Sequence, residues 1–80
     1  MTSAEVIEKV CAVMRDRFPG CDAHGDVQHD AAKSQWDAWV VVTGRGGAQV
    51  SRHAAHSKIK GHAAGALARA LGVAIGEDRR

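Results

Sequence analysis

Cys21, Asp22 and His24 fall within four residues of one another and are the residue types of a thiol nucleophile, a carboxylate and a base. Thiol chemistry needs the sulfur held beside the imidazole, with a third group orienting the base. Proximity in a polar run does not supply that geometry, and no catalytic residue is assigned. Metal-binding atoms are offered by Cys21, His24, Asp26, His29 and Asp30, and again by His53 and His56, three apart. A metal site needs three or four ligands, usually in two halves of recognisable spacing. Neither set has a second half, so solvated loop histidines are expected, with no metal and no cofactor. Gly44, Gly46 and Gly47 follow a predicted strand but lead into another one. They lack the helix N-terminus that a phosphate-binding loop uses.

The better signal is charge. From residue 38 to residue 76 there is no acid, while Arg45, Arg52, Lys58, Lys60 and Arg69 are present with His53, His56 and His62 among them. Residues 1–37 hold seven acids against four bases, net −3, and residues 38–80 hold seven bases against two acids, net +5. Clustered Lys and Arg bind backbone phosphates or acidic protein surfaces without any motif. Arg45, Arg52, His53, His56, Lys58, Lys60 and Arg69 are therefore the candidate binding residues, expected largely to border one surface. Arg69 lies two and a half turns beyond Lys60 on the predicted helix and need not share it. A plainer reading of the same charges is a face that only keeps the protein in solution.

The elements that must position these groups follow from periodicity. Thr2 with Glu5 has the form of a capping box, opening a helix at Thr2 or Ser3. Ile7, Val10, Cys11, Met14 and Phe18 mark its buried stripe, widened by Val6 and Val13. Pro19 and Gly20 end it at Phe18. Residues 20–35 read equally as loop or as a short edge strand near Asp26–Ala31. Trp36–Thr43 alternates as a strand, with Trp36, Ala38, Val40 and Val42 on one face and Asp37, Trp39, Val41 and Thr43 on the other. Apolar groups on both faces make it central. Gly44–Gly47 is a hairpin loop and Ala48–His53 the returning strand. A second helix is predicted from near Ser57, with Ile59, Ala63, Ala66, Leu67 and Ala70 inward and Gly72 as its stop. Small residues at 61, 64, 65 and 68 would admit another surface closely.

From Gln49 onward the chain resembles the HicA-type toxins, small RNA-cleaving proteins with a double-stranded-RNA-binding-like α-β-β-β-α fold. The residues that carry the likeness are Val50-Ser51-Arg52-His53, then Lys58-Ile59-Lys60, Leu67 and Gly72-Val73, with Glu5–Val10 resembling the family's first helix. The family's catalytic His follows a Gly-Ser pair at the start of the second strand. Here that place reads Lys33-Ser34-Gln35-Trp36, and Ser51 stands where the family has Pro. The resemblance therefore implies the fold more than the activity.

Eighty residues make a single domain over 1–80, with 76–80 expected as a short solvated tail. Fifteen of the apolar residues are alanine, so the bulky core is thin and suffices for a marginal monomer or, with helix two rich in small residues, for a weak or moderate homodimer. No apolar run reaches the roughly 20 residues of a membrane span. Two cysteines and no visible leader point to a reducing, cytoplasmic setting. The expected fold is α+β, a helix, then two or three antiparallel strands, then a helix, with both helices on one sheet face. The expected role is a non-catalytic protein that docks a basic face onto an acidic surface of a nucleic-acid-binding complex, or onto nucleic acid itself. In size and character it resembles phage-borne inhibitors such as anti-CRISPR proteins. The alternative is a HicA-like RNA binder or RNase.

Overall fold

A computed structural model describes residues 2–75. The tail expected at 76–80 lies outside them. The order is α1 (Ser3–Arg17), β1 (Asp22–Asp30), β2 (Gln35–Thr43), a 3-10 turn (Arg45–Gly47), β3 (Gln49–Ser57) and α2 (Ala63–Ala70). The strands form one antiparallel meander with β2 in the centre. Both helices cover the same sheet face, giving a slab 17 Å thick.

α1 begins and ends where its sequence dictates. The Thr2 hydroxyl accepts from the Glu5 N–H at 3.2 Å, and the Glu5 carboxylate accepts from the Thr2 N–H at 2.8 Å. Two of the helix's free donors are thereby satisfied. Phe18 is the C-cap and Gly20 turns the chain at φ +83°. Val6, Ile7, Val10, Cys11 and Met14 are buried against the sheet.

β1 resolves the ambiguous stretch as a full strand of nine residues, registered from Asp22↔Thr43 to Asp30↔Gln35. Its alternation was hidden because only Ala23 and Val27 are apolar among its inward positions. Gly25 is inward too, directly opposite Val40. The β2 faces are as expected, with Ala38, Val40 and Val42 fully buried.

The second helix corrects the expectation in its start and its stripe. β3 does not stop at His53 but pairs through Trp36↔Ser57. Ser57 is no N-cap; its hydroxyl accepts from the Ile59 N–H at 3.1 Å inside a turn. Gly61 then takes φ +89°, a conformation closed to a continuing right-handed helix. α2 therefore starts at Ala63, and Ile59 is 59% exposed in the turn rather than inward. Ala63, Ala64, Leu67 and Ala68 are the buried face. Its end matches the Gly72 stop. Gly72 has φ +70°, its N–H donates to Arg69 O, and Val73 N–H donates to Ala68 O at 2.8 Å. That is a Schellman closure, and it brings Val73 into the core.

Among the described residues no helix is long and apolar enough to cross a membrane.

Candidate binding surfaces

Strand alternation divides the sheet's side chains between a face under the helices and a face open to solvent. The open face has Trp39 at its middle. His24 stands edge-on to that indole, with centroids 5.9 Å apart and planes at 89°. Trp39 pairs with Asp26 on β1 and Ala54 on β3, Val41 with His24 and Arg52, and Asp37 with Gln28 and His56. All of these except Asp26 line a shallow hollow of about 590 Å³. Asp37 accepts from the Gln35 amide at 2.9 Å.

The seven candidate binding residues do not share this face or any other. Arg52 and His56 are exposed on it. His53 is on the covered side, opposite buried Val40, with Nε2 2.8 Å from the Ser51 hydroxyl. Arg45 is exposed in the 3-10 turn and Lys58 just after β3. These two residues flank the nine-residue β3 at opposite ends, about 27 Å apart. Arg69 is exposed on α2, in a groove with Ser3, Val6 and Gly65 on the helix side. The expectation of one surface assumed that helix two followed His53 closely; the continuation of β3 to Ser57 separates the charges instead.

What the fold does gather is a basic end. The β1–β2 turn with Lys33 and the post-β3 turn with Lys58 and Lys60 adjoin the same edge of the sheet, where Asp30↔Gln35 and Trp36↔Ser57 pair. Trp36 stands between them. Its ring carries the Lys60 ammonium at 5.6 Å and the His29 imidazole at a centroid distance of 4.7 Å. A cation over an indole is held by the ring's negative face. Lys33 and His29 were not among the candidates read from sequence. Their place beside Lys60 depends on a strand, β1, whose pattern was equivocal.

The residues considered for catalysis stand apart. Cys21 is half-buried against the core, His24 is against Trp39, and Asp22 is bound by α1. Arg15 Nε donates to Asp22 Oδ1 at 3.1 Å, and the same guanidinium donates to Ala23 O at 2.6 Å. The Ala23 N–H and then Arg15 hold the Asp22 carboxyl below its ordinary value. Burial pushes the Cys11 thiol up, away from the reactive thiolate. Ser51 and His53 do make a hydroxyl–imidazole contact, but it lies on the helix-covered side, and no carboxylate orients the ring among the described residues. No three of His, Cys, Asp and Glu come together at metal-holding distance among the described residues.

Comparison of the chain with protein-family models, curated proteins and solved structures finds no match.

Proposed function

We propose that this is a non-catalytic binding protein that docks its basic end onto an acidic surface of a nucleic-acid-handling partner. The observation that carries the reading is the Lys60–Trp36–His29 cluster, flanked by Lys33 and Lys58 in neighbouring turns. Lys60 is exposed, yet one side of it rests on an aromatic ring, so less freedom is lost when it meets an anion. Asp30 accepts from the Lys33 N–H at 3.2 Å through its Oδ1, and Glu8 and Asp26 border the hollow that Lys60 shares with Trp36. Phage-borne inhibitors such as anti-CRISPR proteins are of this size and act in this way, by occupying a surface. Within this reading, Lys58, Lys60 and His56 keep the role expected from sequence. Arg45, Arg52, His53 and Arg69 lie away from the end.

An RNA-binding reading draws on the same cations and on the helix–three strands–helix order, which is the order that the HicA-type resemblance implies. The deciding experiment is capture from the native host by the immobilised protein, beside a Lys33→Glu/Lys58→Glu/Lys60→Glu variant, with fluorescence anisotropy on labelled RNA. A protein partner kept by the parent and lost by the variant supports the proposal. RNA binding that falls steeply with salt, by about one counterion per contacted phosphate, moves the assignment to RNA. Equal capture by both chains removes the basic end from the mechanism.

A further inference from the structure

The open sheet face is divided by charge along its length. Asp26 and Asp30 run down β1, on alternate positions that face away from the helices, with Asp37 beside them on β2, while Asp22 at the start of the strand is held by Arg15 of α1. The β3 flank has Arg45 before the strand, Arg52 within it and Lys58 after it. Arg15–Asp22 is the sole ion pair among the described residues, so Arg52, Asp26 and Asp37 have no ionic partner there. The two rows are ordered alike. Asp26 lies one alternation from the row of Arg52, and Asp30 is level with the end at which Lys58 leaves β3. Trp39, Val41 and Ala54 form an apolar middle between the rows.

We propose that the open face pairs with the same face of a second copy about a two-fold axis parallel to the strands. Such an axis keeps the two ends of the sheet in place and exchanges its edges. The basic β3 flank of each copy then lies over the acidic β1–β2 side of the other, with Arg52 toward Asp26 and Asp37 and Lys58 toward Asp30. An axis across the strands would instead set the β1 carboxylates over one another, and like charges opposed in this way disfavour that arrangement. The packing is that of two aligned sheets, about 10 Å apart, with Trp39 enclosed. Three strands of nine residues make a face of about 30 by 14 Å. Two such faces bury on the order of 1,000 Å², the lower end for specific pairs, so micromolar affinity is expected. The same axis sets the two Lys33–Lys58–Lys60 ends side by side. Helix two and its small residues take no part, in contrast to the sequence-based expectation for a dimer.

Sedimentation equilibrium of the whole chain from about 1 to about 300 μM tests this. The parent should pass from monomer to dimer in that range. Arg52→Glu alone, and Asp26→Lys with Asp37→Lys, should each weaken self-association by roughly tenfold or more, because both halves of the two-fold pair become repulsive. Mixing these two variants in equal amounts should restore a dimer. Its two halves are one reversed and one native charge pair, an outcome no other face predicts. Monomer throughout for the parent, or a dimer indifferent to both variants, overturns the proposal. In a Trp36→Phe chain, Trp39 emission should also move to shorter wavelength as the mass doubles, and a doubling without that shift overturns it too. A monomeric parent that still loses its partner in the Lys33/Lys58/Lys60 variant would sink the dimer alone and leave the basic end standing.

Discussion

Gly25 on β1 lies so close to Trp39 on β2 that a Cβ built on the glycine would run into the Trp39 carbonyl oxygen. The obstacle is backbone of the central strand, which cannot swing aside as a side chain could. Gly25→Ala should therefore cost about 3 kcal/mol, the upper end of overpacking, and lower the melting temperature by roughly 12–24 °C. Gly46→Ala is the control. Nothing stands within 4 Å of a Cβ there, and only its φ of +76° resists the change. It should cost about 1 kcal/mol. Equal losses from the two changes would show that the β1–β2 approach is looser than described.

Acid should loosen both ends of α1, the Thr2–Glu5 cap and the Arg15–Asp22 tie to β1, before the core gives way. Glu5 and Asp22 are both held below their ordinary values of 4.5 and 3.8, Glu5 chiefly by the Thr2 N–H and Asp22 chiefly by the Ala23 N–H. A carboxyl whose folded pKa is depressed stabilises the fold above its unfolded value, and that stability is lost as pH falls through the folded one. Stability should thus be level just above pH 4.5 as far as these groups are concerned, and decline below. Arg15→Met should flatten part of that decline, read from melting temperatures in a pH series.

The two thiols should react at different rates. Cys11 is 5% exposed and its pKa is raised by burial, whereas Cys21 is half-buried before β1. A thiol reagent at neutral pH should label one sulfur per folded chain quickly and the second only on unfolding. Cys21→Ser should abolish the fast phase, and a fast phase surviving in that variant would contradict the placement of Cys11.

The purified protein should leave RNA intact. His24 is engaged with Trp39 and His29 with Trp36, and the place of the HicA-type catalytic His holds Lys33–Trp36. Incubation with structured and single-stranded RNA, followed on denaturing gels, checks this. Cleavage that disappears in His24→Ala or His29→Ala would establish a nuclease.

Local rules were enough for several parts of this protein. The capping box, the α1 stripe, the stop at Phe18, the two faces of β2 and the Gly72 closure each depend on residues within a few positions of one another. Their physics is short-range, so it is written in short spans of sequence. β1 was different. Its inward positions are Ala23, Gly25, Val27 and His29, too small and too polar to announce a strand, and it holds because β2 beside it offers nine backbone partners. β3 likewise runs through Ala54, Ala55 and His56, weak strand formers, on the strength of its pairing with β2. That extension and the turn after it moved the N-cap of α2 by five residues, from Ser57 to His62, and scattered cations that looked contiguous along the chain. Sequence alone therefore determined that bases crowd the second half and acids the first. Only tertiary pairing decided that Lys33 joins Lys58 and Lys60 at one end, and that the acids of β1 and the bases around β3 border one face. Strand register, unlike a helix cap, is fixed by partners distant in sequence.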